Sequence, residues 1–131
     1  MNRRRGIALT LLAASAVAAV LAVNAFAADQ ATTPVKVTVT MTDFKFKLTN
    51  TATKKLVRSV PRGRPVVFTV VNKGRSVHDF DFTSPRKGTP YIDPGAKKTL
   101  RVTFSSKGLR RYICTVPRHV QLGMSGNLRV K

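Results

Sequence analysis

Apolar residues recur at every second position along most of this chain, and no window sustains a helical period. Val35, Val37, Val39 and Met41 alternate with Lys36, Thr38, Thr40 and Thr42. Period-two spacing puts one set of side chains on each face of an extended strand. Phe44, Phe46 and Leu48 continue the alternation past Asp43, across a bend. Val66, Phe68 and Val70 share a face, as do Leu100, Val102 and Phe104, and later Leu128 and Val130. Over residues 77–83, His78, Phe80 and Phe82 oppose Val77, Asp79 and Asp81. Pro61-Arg62-Gly63, Asn72-Lys73-Gly74, Pro94-Gly95 and Lys107-Gly108 punctuate these runs as turns, and residues 84–90 read as a loop. Strands at such short intervals predict an all-β sandwich of seven to eight strands over residues 35–131.

The first residues follow another logic. Arg3, Arg4 and Arg5 precede an uncharged run at 7–23, and Ala25-Phe26-Ala27 supplies a small-residue cleavage pattern. That is the layout of a secretory signal. Residues 1–27 are therefore expected to be a leader and 28–34 a short linker. An uncleaved membrane anchor is the alternative, since the apolar run approaches the roughly 20 residues a span needs. Either way the chain is expected outside the cytoplasm, in the periplasm or an equivalent compartment. Arg4-Arg5-Gly6-Ile7 resembles part of a twin-arginine export signal. The one Cys, Cys114, is remote from the cleavage site, which excludes a lipoprotein anchor there.

Charge is the next constraint. The chain carries 24 Lys and Arg against 5 acids, all of them Asp, for a net charge of +19. Removing three arginines with the leader lowers that to +16. Such a balance admits nucleic acid as a partner. The export signal argues against it, the basic residues are dispersed, and no aromatic-basic platform for stacking bases is present. Steering toward an acidic protein partner fits better, and an anionic membrane or cell-wall surface is a second polyanion the charge admits. With one Cys no intramolecular disulfide can form.

The soft metal ligands concentrate in one place. Cys114, His119 and Met124 lie in a single interstrand loop with C-x4-H-x4-M spacing, and the other His, His78, follows the Asn72-Lys73-Gly74 turn. Thiolate plus two imidazoles makes a trigonal set, to which a thioether adds a weak axial ligand. Zinc accepts Cys and His, but a Met fourth ligand suits it poorly. Copper accepts all four, and one compromise geometry for Cu(I) and Cu(II) lowers the reorganisation that electron transfer requires.

These segments, Tyr112-Ile113-Cys114-Thr115-Val116-Pro117-Arg118-His119, Gly123-Met124-Ser125-Gly126-Asn127-Leu128-Arg129-Val130 and Asn72-Lys73-Gly74-Arg75-Ser76-Val77-His78-Asp79-Phe80, resemble the cupredoxin family of small blue-copper proteins. Pro94-Gly95 and the Gly108 to Tyr112 and Cys114 spacing match in order as well. The resemblance implies a Greek-key β-sandwich binding one copper ion. It implies His78, Cys114 and His119 as strong ligands and Met124 as the axial one. Asp79 and Thr115 are expected to pin the loop by hydrogen bonds, with backbone N–H groups tuning the Cys114 sulfur. Val116, Pro117, Val120 and Leu122 are expected to form an apolar collar at the edge of His119, the family's usual electron gate, with Arg118 beside it. Two departures stand out. Arg118 sits where many relatives carry Gly, and the loop is one residue longer than azurin's between His119 and Met124. A binuclear copper centre is excluded, because it needs a second Cys in the loop.

The function expected is a monomeric, exported one-electron carrier between redox partners, not an enzyme. A copper-handling protein is the first alternative, although no open Met- or His-rich cluster is present. A basic binder of anionic surfaces is the second.

Overall fold

The computed structural model describes residues 33–131; the expected leader and most of the linker lie outside the described residues. Nine strands form, and no helix is found among the described residues. They are β1 (Val35–Thr42), β2 (Lys45–Asn50), β3 (Ser59–Val60), β4 (Pro65–Asn72), β5 (Asp81–Thr83), β6 (Arg86–Gly88), β7 (Lys97–Thr103), β8 (Gly108–Ile113) and β9 (Ser125–Val130). One sheet has the order β2-β1-β4-β7 and the other β3-β9-β8-β5-β6.

The alternation read from the sequence is the burial pattern of the sheets. In β1, Val37, Val39 and Met41 are fully buried while Lys36 and Thr42 are exposed. In β4 every second residue is buried, from Val66 through Phe68 and Val70 to Asn72. β1 pairs in parallel with β4 and antiparallel with β2, which sets Val37 beside Phe68 and Val39 beside Val70. Two sheets that each offer one apolar face bury both by packing together. Phe80 is the hub of the resulting core, with ring centroids 5.1 Å from Phe82, 5.2 Å from Tyr112 and 5.5 Å from Phe68. Edge-on and tilted contacts of this kind add to the area term.

Three local readings change. Arg86–Gly88, read as loop, forms β6 by pairing with β5. Pairing supplies what propensity did not: the β5 backbone next to it offers a ladder. Residues 77–80, read as the start of a strand, are instead irregular, and strand pairing begins only at Asp81. Asp79, set by the alternation on the side opposite His78, Phe80 and Phe82, is buried as they are, at 2% exposed. His78 is anchored by a lone bridge, its N–H donating to Ile92 O at 3.2 Å and its carbonyl accepting from Ile92 N at 2.7 Å. This departure from the ladder leaves the His78 side chain free to turn toward the loop after β8.

Candidate metal centre

The ligand-bearing loop is residues 114–124, between β8 and β9. It closes on itself through its backbone. Cys114 N–H donates to Met124 O at 3.1 Å and Met124 N–H to His119 O at 3.0 Å. Leu122 N–H reaches His119 O at 3.1 Å and Gly123 N–H reaches Val120 O at 3.0 Å. The loop therefore coils as successive turns that bring Cys114, His119 and Met124 together. Cys114 and Met124 are fully buried and His119 is 9% exposed. Arg118 takes a φ of 73°, the left-handed region where glycine is at ease, which is the physical sense of the Gly many relatives place there.

His78 enters from the segment between β4 and β5, fully buried. Its Nδ1 lies 3.1 Å from His119 Nδ1 and 3.8 Å from Cys114 Sγ, and His119 Nδ1 lies 3.4 Å from the same sulfur. Metal–nitrogen bonds near 2.05 Å and a metal–sulfur bond near 2.3 Å, arranged trigonally, would space such ligand atoms about 3.5–3.8 Å apart. The observed triangle matches that to within a few tenths of an ångström. His78, Cys114 and His119 with Met124 fit a type 1 copper centre.

Three residues outside the sequence-derived ligand set hold His78 in place. Asp43 Oδ1 accepts from His78 Nε2 at 2.7 Å. The same carboxylate accepts Arg75 N–H at 2.8 Å and Ser76 N–H at 3.2 Å. The Arg75 N–H and then the His78 ring pull the Asp43 pKa down to about 2. An ionised carboxylate only accepts, so Nε2 is the donor in this contact and Nδ1 is the ring nitrogen turned toward His119 and the Cys114 sulfur. Asn72, fully buried, donates from Nδ2 to Ser76 O and Ile92 O, both at 2.8 Å, and accepts from Gly74 N–H at 2.9 Å. Phe44 closes the side with its ring 4.7 Å from His119 and 6.0 Å from His78, edge-on to both. The one available signal for Asp43 was a lone acid interrupting an alternating strand in a strongly basic chain.

Asp79 joins the two sides. It follows His78 in sequence, and its carboxylate accepts Thr115 N–H at 2.6 Å and the Thr115 hydroxyl. Burial pushes the Cys114 thiol up to about 11, while backbone N–H donors from Asp79 and Val116 work in the opposite direction. Forming the thiolate therefore calls for a cation, and metal binding displaces the proton. Burial, and next the neighbouring His78, lowers the His119 pKa, which keeps that ring neutral and able to ligate. Around the loop, Leu122 is 58% exposed and Pro117 is exposed, whereas Val116 and Val120 are half-buried.

The fold and the site together define a β-sandwich copper protein with one mononuclear His–Cys–His centre. Residues 33–131 match the copper-binding proteins of the plastocyanin/azurin family, and the chain belongs to that family. Its fold is shared by Na-dithionite-reduced auracyanin from Roseiflexus castenholzii, at 16% identity and a TM-score of 0.62, covering 74% of this chain and 97% of that one. Rusticyanin from Thiobacillus ferrooxidans aligns at 22% identity and a TM-score of 0.59, covering 75% and 77%. A multicopper oxidase from Campylobacter jejuni aligns at 20% identity and a TM-score of 0.53, covering 75% of this chain and 30% of the oxidase. No curated protein matches the chain by sequence.

Proposed function

We propose that the protein is an exported one-electron carrier whose copper would be held by His78, Cys114 and His119 as strong ligands and Met124 as the weak fourth. Copper held there would supply a Cu(I)/Cu(II) couple. The observation that carries this reading is the buried triangle of Nδ1, Nδ1 and Sγ atoms, fixed from both sides by hydrogen bonds. Ligands so constrained resist rearrangement when one electron arrives or leaves. That auracyanin and rusticyanin have both been crystallised in reduced form is in keeping with this reading.

Carrying, not catalysis, suits the ligand inventory. The chain has two His, and one centre uses both, so none is left for a second copper site of the oxidase kind. The electron would pass at the edge of His119, through the collar of Val116, Pro117, Val120 and Leu122. Arg118, next to His119, adds positive charge that would steer an acidic redox partner and speed encounter at low salt. Place of action is the periplasm or another extracytoplasmic compartment, where the basic surface also meets anionic membrane or wall polymers.

The test is an absorption and electron paramagnetic resonance spectrum of the copper-loaded domain, with its electron self-exchange rate. An intense thiolate-to-copper band with fast self-exchange is expected. Copper that exchanges readily but passes electrons slowly would favour a copper-handling role instead.

A further inference from the structure

We propose that Asp43 is a positioning residue of the metal centre, whose carboxylate strengthens His78 as a donor and biases bound copper toward Cu(II). This rests on the electron-carrier reading above. The His78 ring is wholly buried, and its outer nitrogen meets Asp43 Oδ1 at 2.7 Å. A neutral acceptor there would fix the same tautomer. A charged one does more: it polarises the N–H bond and moves electron density toward Nδ1. The extra density favours the more highly charged metal state, and so lowers the reduction potential.

The surrounding chain is shaped around this contact. The turn after β4 wraps the carboxylate, with Arg75 N–H on Oδ2 and Ser76 N–H on Oδ1. Gly74 leaves the space: a Cβ there would clash with Asp43 Oδ1 and stand 3.0 Å from His78 Nε2. The Asp43 side chain is 25% exposed, so solvent screens part of its charge and the effect is moderate.

Asp43→Asn keeps the shape and an oxygen acceptor while removing the charge. Outer groups of this kind change metal affinity about 10- to 100-fold. The expected result is a loss of Cu(II) affinity about tenfold greater than that of Cu(I), read as a rise in potential of about 59 mV. Gly74→Ala tests the contact from its other side, since it retains the carboxylate and wedges it off His78; its potential should also rise. In Cu(I) protein, which is diamagnetic, the His78 Nε2 proton should exchange slowly in the wild type and Asp43→Asn. It should exchange fast in Asp43→Ala. If a coloured wild type and both charge-altering and wedging variants share one potential, Asp43 is only a strut and the inference falls. A wild type without the thiolate–copper band would overturn the electron-carrier reading instead.

Discussion

The two sides of the metal centre are built in opposite ways. The loop of residues 114–124 is a local object, in which backbone hydrogen bonds among Cys114, His119 and Met124 close within one segment. His78 belongs to no such segment. Its ring is held by Asp43, 35 residues earlier, and its backbone by Ile92, while Asn72 shapes the turn before it. A local loop can keep its shape when its surroundings change. The His78 side exists only while the sandwich holds β1, β4 and the 92 region against one another. Damage to the first should therefore remove the chemistry and leave the fold, and damage to the second should cost both.

The sharpest break in that comparison is Cys114→Ser. It should abolish the thiolate–copper absorption entirely while the melting temperature of the metal-free protein changes little. Colour that survives would remove Cys114 from the metal.

Asn72→Ala strikes the other side. It leaves the Ser76 carbonyl and the Gly74 N–H without the partner they have here and removes one of two donors to Ile92 O, at roughly 1–3 kcal/mol for each buried group left unpaired. A total near 3 kcal/mol predicts a fall in Tm of about 10–20 °C for a domain of this size. Calorimetry on metal-free protein checks it. A drop under two degrees would show that the His78 turn stands without the amide.

The seam between the sides is Asp79, and its neighbour Asp81 works against it. Burial, then the charge of Asp79 and a hydrogen bond to it, raises the Asp81 pKa from 3.8 to about 6. The folded state thus binds this proton more tightly than the unfolded one. The stabilisation is fully present below about 3.8 and is lost as pH rises through about 6. Asp81→Asn should then melt higher than the wild type at pH 7, by no more than a few degrees given the group's partial exposure. The difference should vanish near pH 4. A gain that is independent of pH would mean that charge repulsion is not its source.

The smallest effect lies in the loop itself. Arg118 holds a left-handed backbone at about 1 kcal/mol. Arg118→Gly relieves that strain but adds unfolded-state entropy, so a net gain of a few tenths of a kcal/mol is expected from denaturant titration. If the electron partner is acidic, the same variant should associate more slowly at low salt. A stability loss would show that the Arg118 side chain contributes contacts that outweigh the strain.

Legibility followed the same division. The Cys114, His119 and Met124 spacing was readable because its residues are neighbours in sequence, and the Asn72-Lys73-Gly74 turn marked His78. Asp43 and Phe44 were not read as parts of the site. Their role arises from a corner between β1 and β2 that packs beside residues 73–78, and nothing near them in sequence names a partner. β6 has no strand signature because Pro85 just before it and Gly88 at its end are loop-type residues, and only the pairing of residues 86–88 with β5 makes it a strand.

What the sequence determined alone is therefore what backbone geometry makes periodic or contiguous. Side chains alternate across a strand, so Val37, Val39, Val66, Phe68 and Val70 had to share a core. Three ligand-type residues within one loop had to lie near one another. Only tertiary structure could set His78 Nδ1 3.1 Å from His119 Nδ1, seat Asp43 behind it and tie Asp79 to Thr115. Those distances depend on how two sheets pack, and a few tenths of an ångström between distant segments have no signature in the order of the residues.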